Sequence, residues 1–291
     1  MDSILSCPVC ETGLHRIEKC YQCVNGHLYD VSREGYVNLL LANQKASKLP
    51  GDSREMLQSR RRFLESEHFH ILSDTLNQLT TQQLEQSHSI SPKPTVILEA
   101  GCGEGYYLGE LQQFLTLAQP TFAVDYWGLD IAKDAVRMAA QRYKQINFLV
   151  ASTRRKIPVA DHSVDLLLTI FAPRNLVEYQ RIMTANGIVM IVIPGKNHLR
   201  QLRTILMIPE RESAKQDEVI AEFQNDFALE QVENLNDTIE LDNKALLDLV
   251  KMTPNYWHIT PDTWERLKSI EYFETQIEFL ILIFHRNHVK I

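Results

Sequence analysis

No apolar stretch in these 291 residues approaches the roughly 20 that a helix needs to cross a bilayer, so no membrane partner is expected. The run Phe279-Leu-Ile-Leu-Ile-Phe284 is far too short and reads as a buried strand. The N-terminus lacks a basic region followed by an apolar one, so no signal peptide is expected and a cytoplasmic location is inferred. Internal repeats and low-complexity tracts are absent, which excludes a repeat architecture. Positive charge is in short supply: 30 Lys and Arg stand against 37 Asp and Glu, a net of −7. That balance argues mildly against nucleic acid as a partner. The deficit is uneven, however. Residues 1–64 hold nine basic and seven acidic side chains, and a local basic surface can bind phosphates on an acidic protein.

Cysteine is scarce, but it is concentrated. Four of the five cysteines are Cys7, Cys10, Cys20 and Cys23, with His15 and His27 close by. Cysteines packed this densely in a cytosolic chain favour a metal over disulfides. Four ligands from two turns would close a tetrahedral zinc site and stabilise a segment too short for its own core. Two ligand sets compete: Cys7, Cys10, Cys20 and Cys23, or Cys7, Cys10, Cys23 and His27. Gly26, just before His27, would help the chain curl back onto the metal. Spacing alone leaves both open.

The stretch Val96-Ile-Leu-Glu-Ala-Gly-Cys-Gly-Glu-Gly-Tyr-Tyr107 organises the rest. Val96, Ile97 and Leu98 read as a buried strand that ends at Glu99. Gly101, Gly103 and Gly105 permit a tight turn, and a helical pattern follows. Such a strand, turn and helix start make a bed for a nucleotide-like cofactor at the carboxyl edge of a parallel sheet. The dinucleotide fingerprint would need a third glycine at Tyr106, so it fails. Glycines at every second position behind an acid resemble the turn of S-adenosylmethionine-dependent methyltransferases. Trp127-Gly-Leu-Asp130 ends in an acid about one βαβ unit later. A carboxylate there can accept both hydroxyls of a ribose, or it can cap the helix that begins near Lys133.

Further elements follow by pattern. Asp52 or Ser53 should cap a helix from about Arg54, and Arg60, Arg61 and Arg62 fan around it, at least one reaching solvent as a phosphate contact. A helix over 71–84, a polar linker over 86–94, a helix over 135–143 and strands over 146–150, 166–170 and 188–193 are predicted. Ala151 and Ser152 follow the third strand at its carboxyl end, where many methyltransferases carry an acid. Arg154, Arg155 and Lys156 are candidate phosphate contacts. Ile157-Pro-Val-Ala-Asp-His-Ser-Val-Asp165 resembles the segment that precedes strand four in that class, and Phe171 ends strand four as a stacking platform or a core residue. Residues 210–245 are charged and read as a helical insertion, within a broader insertion near 205–250. Residues 272–285 read as the two closing strands.

Taken together, the zinc segment, Glu34-Gly-Tyr-Val-Asn-Leu-Leu40, Gly51-Asp-Ser-Arg-Glu-Met56, Arg61-Arg-Phe-Leu64, the glycine turn and Met252-Thr-Pro254 resemble the bacterial 23S ribosomal RNA guanine-N1 methyltransferases, over nearly the whole chain. The resemblance implies an α/β, Rossmann-like class I S-adenosylmethionine methyltransferase domain with a small N-terminal zinc-binding module. The expected division is a zinc-binding, RNA-recognition module over 1–40, a helical linker over 41–90 and the methyltransferase domain over 91–291. It implies zinc ligands Cys7, Cys10, Cys23 and His27. It adds Phe69, Tyr107, Leu108 and His198 to Glu99, the three glycines and Asp130 as cofactor contacts. It also implies a guanine in a domain II hairpin as substrate, and a homodimer. The catalytic base is not identified. A small-molecule methyltransferase with a structural zinc finger and an RNA-binding protein without catalysis are the rival readings. The first would show no RNA dependence, the second no affinity for S-adenosylmethionine.

Overall fold

The computed structural model describes residues 3–44, 51–87, 93–118, 123–208 and 215–287. Residues 88–92 of the expected linker and 209–214 of the expected insertion lie outside the described residues. Among the described residues, no helix is long and apolar enough to cross a membrane.

Four short strands open the chain: β1 (Leu14–Ile17), β2 (Cys20–Cys23), β3 (Leu28–Asp30) and β4 (Tyr36–Asn38). Two helices follow, α1 (Arg54–Glu65) and α2 (His70–Ser87). Alternating strands and helices come next: β5 (Thr95–Ala100), α3 (Tyr106–Ala118), β6 (Val124–Asp130), α4 (Lys133–Arg142), β7 (Asn147–Val150), β8 (Val164–Ile170), α5 (Leu176–Ile182) and β9 (Met183–Pro194). The chain finishes with α6 (Arg200–Ile205), α7 (Lys215–Phe223), β10 (Phe227–Asp242), α8 (Asn243–Lys251), α9 (Pro261–Lys268) and β11 (Tyr272–Arg286).

Eight strands form one sheet in the order β10-β11-β9-β8-β5-β6-β7-β4. The strands from β9 to β4 run parallel, and β10 and β11 are antiparallel. The central strands are apolar on both faces, as parallel strands sandwiched between two layers must be. Ile97, Leu166, Leu168 and Met190 point to one face, where α1 to α4 and α8 cover them. Val96, Leu98, Leu167 and Val189 point to the other, under Tyr179 and Ile182 of α5 and Val219 and Phe223 of α7. The strand order reverses between β5 and β8, so a crevice opens at their carboxyl ends.

The second face is completed in an unusual way. The crossover from β7 to β8 contains no helix, although parallel connections usually do. Leu5, Leu14, Tyr21 and Cys23 of the N-terminal segment fill that space. Leu5 bridges Val159, Ser6 N–H donates to Pro158 O (3.1 Å), and Ala160 N–H donates to Ile4 O (2.8 Å). Leu5 and Leu14 are fully buried, each contributing about 1.5–3 kcal/mol. Strand β4 then joins the sheet beside β7, aligning Tyr36 with Phe148 and Asn38 with Val150.

Two expectations are corrected. Residues 227–242, expected within a helical insertion, form the edge strand β10, which pairs with β11 along its whole length. Among the described residues of that stretch, 215–223 are helical, as α7, and 243–245 begin α8. Residues 272–286 are one long strand rather than two, and β10 is the second closing strand. No Gly, Pro or Asn interrupts 272–286 to make a turn.

Candidate cofactor cleft and metal centre

Strand β5 delivers Glu99 to the floor of the crevice. Its side chain is 1% exposed, one oxygen has no partner among the described residues, and burial pushes its pKa up to about 8. The Leu108 N–H, in the first turn of α3, is directed at the carboxylate, while the Leu108 side chain is fully buried. Tyr107 stands beside it, its phenol pushed up by burial. The turn between strand and helix uses its glycines differently. A Cβ on Gly101 would lie 2.4 Å from Ala172 Cβ, and one on Gly105 would meet Ala139 and the Phe148 ring at 3.0–3.1 Å. Gly103, at φ +54°, faces open space bounded by Arg60 Nη1 at 3.5 Å.

Asp130 closes the turn from β6. Its Oδ2 accepts from Gly103 N–H (3.0 Å) and its Oδ1 from Ala132 N–H (2.8 Å). Ala132, not Asp130, is the N-cap of α4, and it makes no side-chain cap bond. Each Asp130 oxygen keeps a second lone pair for a ribose hydroxyl. Burial raises the pKa of this acid too. Three carboxyl groups, Glu99, Glu104 and Asp130, thus surround a turn with exposed backbone. A dry, acid-rich bed with an unsatisfied carboxylate oxygen suits a cationic nucleoside, and S-adenosylmethionine is one.

Helix α1 lies over this bed, and its three arginines hold it there. Ser53 caps the helix, accepting from Met56 N–H at 3.3 Å. Arg60 pairs with Asp52 (2.5 Å) and donates to Met252 O (3.1 Å). Arg61 pairs with Glu104 inside the glycine turn (2.8 Å) and donates to Met138 O (3.2 Å). Arg62 grips both oxygens of Asp248 on α8. Arg62 reaches solvent as expected, its side chain 45% exposed, and fanning around the helix also brings each guanidinium to a different carboxylate. Sequence reasoning missed Glu104 as a partner; an acid between two turn glycines, with an Arg run upstream, was the available signal.

An aromatic group borders the crevice on the β9 side. Phe69 is buried, with its ring 5.0 Å from those of Phe63 and Phe279 and 6.0 Å from His198. His198 lies with its ring tilted 4.8 Å from that of Phe279 and accepts at Nδ1 from Glu278 N–H (3.3 Å), which places its proton on Nε2. Phe171 lies 6.3 Å from His198 and 5.8 Å from Phe279. It is 44% exposed with φ +53°, a strained conformation for a bulky residue. The next residue, Ala172, touches Gly101, so the end of β8 abuts the cofactor turn. Ser152 is buried and accepts from Arg154 N–H (3.3 Å). Arg154 and Arg155 are exposed, and Lys156 pairs with Glu11 of the N-terminal segment (2.7 Å).

Cys7, Cys10, Cys23 and His27 converge, their ligand atoms all within 4.8 Å of one another. Sγ of Cys10 and Cys23 are 3.6 Å apart, and His27 Nδ1 lies 3.3, 3.5 and 3.6 Å from Cys23, Cys10 and Cys7. Tetrahedral zinc with ordinary bond lengths sets its donors roughly 3.5–3.8 Å apart, so the set fits. The Thr12 hydroxyl, 3.2 Å from the Cys10 sulfur, helps pull that thiol down to about 5, towards the thiolate that binds metal. The Tyr29 hydroxyl supports Cys7 at 3.2 Å. Gly26 makes the turn at φ +83°. Cys20 lies apart, donating to Ile17 O (3.3 Å).

Comparison with known proteins matches residues 5–48 to the N-terminal zinc-ribbon family of RlmA and 97–189 to a methyltransferase domain family. The chain is 30% identical over 262 residues to the 23S rRNA (guanine(748)-N(1))-methyltransferase of Streptomyces fradiae, covering 90% of this chain and 89% of that protein. It is also 30% identical over 268 residues to a protein of Micromonospora griseorubida assigned as a 23S rRNA guanine-N1 methyltransferase, 88% of each chain being covered. A Bacillus subtilis protein with the same assignment is 28% identical over 97% of this chain and 96% of its own.

Proposed function

Since the chain belongs to the zinc-containing family of 23S ribosomal RNA guanine-N1 methyltransferases, we propose that it methylates N1 of a guanine in a domain II hairpin of 23S ribosomal RNA. S-adenosylmethionine, when bound, supplies an electrophilic methyl group. The carrying observation is the junction of Gly101 with Ala172, which sets the glycine turn against the end of β8. A base held at Phe171 would therefore lie beside the donor, and proximity of this kind is the main source of rate in a direct transfer.

Each residue has a role in this reading. Glu99, Gly101, Gly103, Gly105, Tyr107, Leu108 and Asp130 seat the nucleoside, while Phe69 and His198 wall the methionine side. Helix α1 shields the bed from water. Phe171 offers an exposed ring under strain, and strain at an exposed aromatic supports a stacking role for an extruded base. Guanine N1 carries a proton at neutral pH, so its loss must accompany transfer. Cys7, Cys10, Cys23 and His27 hold a structural zinc whose four protein ligands leave no open position. We further propose that the zinc ribbon grips RNA, that the protein acts in the cytoplasm, and that it works as a homodimer.

The test is methylation of unmodified 23S ribosomal RNA with labelled donor, followed by mapping of the modified base. Label at N1 of a domain II guanine is expected, and Asp130→Ala should weaken donor binding at least tenfold. Label elsewhere, or transfer that ignores RNA, would reject the reading.

A further inference from the structure

Just beyond the carboxyl end of β9, Lys196, Asn197, Arg200 and Arg203 line a pocket of about 180 Å³. Three of the four are cationic, and none is acidic. Lys196 and Arg200 are exposed, while Arg203, also in the lining, is only 7% exposed. The Arg203 guanidinium donates from Nη2 to Lys196 O (2.7 Å). Its Nε and Nη1 are buried with no partner among the described residues. The neighbouring carboxylate, Glu278, is turned to Asn197 N–H at 2.5 Å and does not line the pocket.

A buried guanidinium with unspent donors is costly unless an anion meets it. Its planar fork matches a tetrahedral or trigonal oxyanion, and Lys196 and Arg200 add two point charges to the lining. The volume is well below the roughly 300 Å³ at which pockets for whole small molecules begin, so a single phosphate-sized group fits and a nucleoside does not. The location narrows the source. Asn197 directly precedes His198, which stacks towards Phe171, so the pocket sits beside the place where a target base would be held.

We propose that this pocket binds one backbone phosphate of the RNA substrate, next to the extruded guanine, with Arg203 as the anchoring residue. The proposal rests on the RNA-methyltransferase reading above. It assigns a positioning role to Arg203, Lys196 and Arg200, because phosphate contacts fix register while base contacts specify.

The test uses the full-length, zinc-loaded protein and an unmodified 23S ribosomal RNA fragment without donor. The surface variant Lys196→Ala/Arg200→Ala carries little risk to folding, and Arg203→Lys retains the charge but not the fork. Binding to RNA should weaken on the order of tenfold in each, and for the surface double variant the slope of log K against log salt should flatten by about 0.7–0.9 per lost phosphate contact. Binding of S-adenosylhomocysteine, measured calorimetrically, should not change. Inorganic phosphate should protect Arg203 from modification by phenylglyoxal in the wild type. RNA affinity and salt slope left intact would overturn the proposal, as would loss of S-adenosylhomocysteine binding alone, which would assign the pocket to the donor's carboxylate. If wild-type protein binds no RNA, the substrate reading fails with it. If wild type binds and methylates RNA while the variants match it, only the phosphate pocket fails.

Discussion

Arg61→Met should destabilise the protein in a way that depends on pH, and the size can be worked out. The Glu104 carboxyl is 1% exposed; one oxygen meets Arg61 at 2.8 Å and the other has no partner among the described residues. Burial holds its pKa above the ordinary 4.5 even with the guanidinium present. Without Arg61 the acid can stay buried only by taking a proton. At pH 7 that costs at most about 3.4 kcal/mol, about 2.5 pH units at roughly 1.36 kcal/mol each, and less to the extent that the wild-type acid is already held above 4.5, within reach of the roughly 3–5 kcal/mol typical of stripping a buried pair of one partner. Water entering beside the quarter-exposed Arg61 site trims the figure to about 2–3 kcal/mol. The lost bond to Met138 O adds about 1 kcal/mol at every pH. At pH 5 the proton costs under about 1 kcal/mol, so the deficit should shrink by about 2 kcal/mol. Urea unfolding midpoints of zinc-loaded, donor-free protein at the two pH values measure this. Glu104→Gln in the Arg61→Met background needs no proton and should recover most of the loss at pH 7. A deficit equal at both pH values, or one that the added Glu104→Gln change fails to relieve, would refute the reasoning.

Three other outcomes follow. Glu99 binds its proton more tightly folded than unfolded, with a pKa near 8 against 4.5, so its contribution is fully present below pH 4.5 and is lost as pH rises to 8; Glu99→Gln should flatten that slope in thermal melts of donor-free protein, and an unchanged slope would reject it. Cys20→Ser should keep zinc content at the wild-type level while His27→Ala lowers it, as read by metal analysis of dialysed protein; the reverse pattern would reassign the ligands. Phe171→Ala should cut turnover on RNA by about tenfold or more, since stacking is worth roughly 1–3 kcal/mol per base, with S-adenosylhomocysteine affinity unchanged; equal losses in both would make it a packing residue.

The parts legible in sequence were those where chemistry needs particular residue types. The glycine turn and Asp130 could be located because no side chain substitutes for backbone left open or for a carboxylate. Spacing left Cys20 and His27 as rivals; the fold gathers His27 with Cys7, Cys10 and Cys23 and leaves Cys20 outside, because β1 pairs Ile17 with Cys20 and that thiol donates to Ile17 O. Strand β10 was obscured by its place at the sheet edge, where polar and acidic residues are frequent in Phe227–Asp242 and an irregularity between Leu229 and Gln231 breaks the alternation. Strand β4 has three residues, too few for any periodicity, and its pairing is set by distant β7. The arginines of α1 looked alike because only tertiary structure brings Asp52, Glu104 and Asp248 to them.

Through β4 and the Leu5–Val159 bridge, the metal-bearing segment is stitched into the catalytic body rather than hung from it. It is not a cassette to be grafted onto another transferase, because excising it would unroof hydrocarbon at the sheet and leave a ragged seam along β7. Chelation should therefore be felt at a distance: strand β7 is neighbour to β6, which ends in Asp130, so losing the ion would loosen the proposed donor seat as well as any grip on RNA.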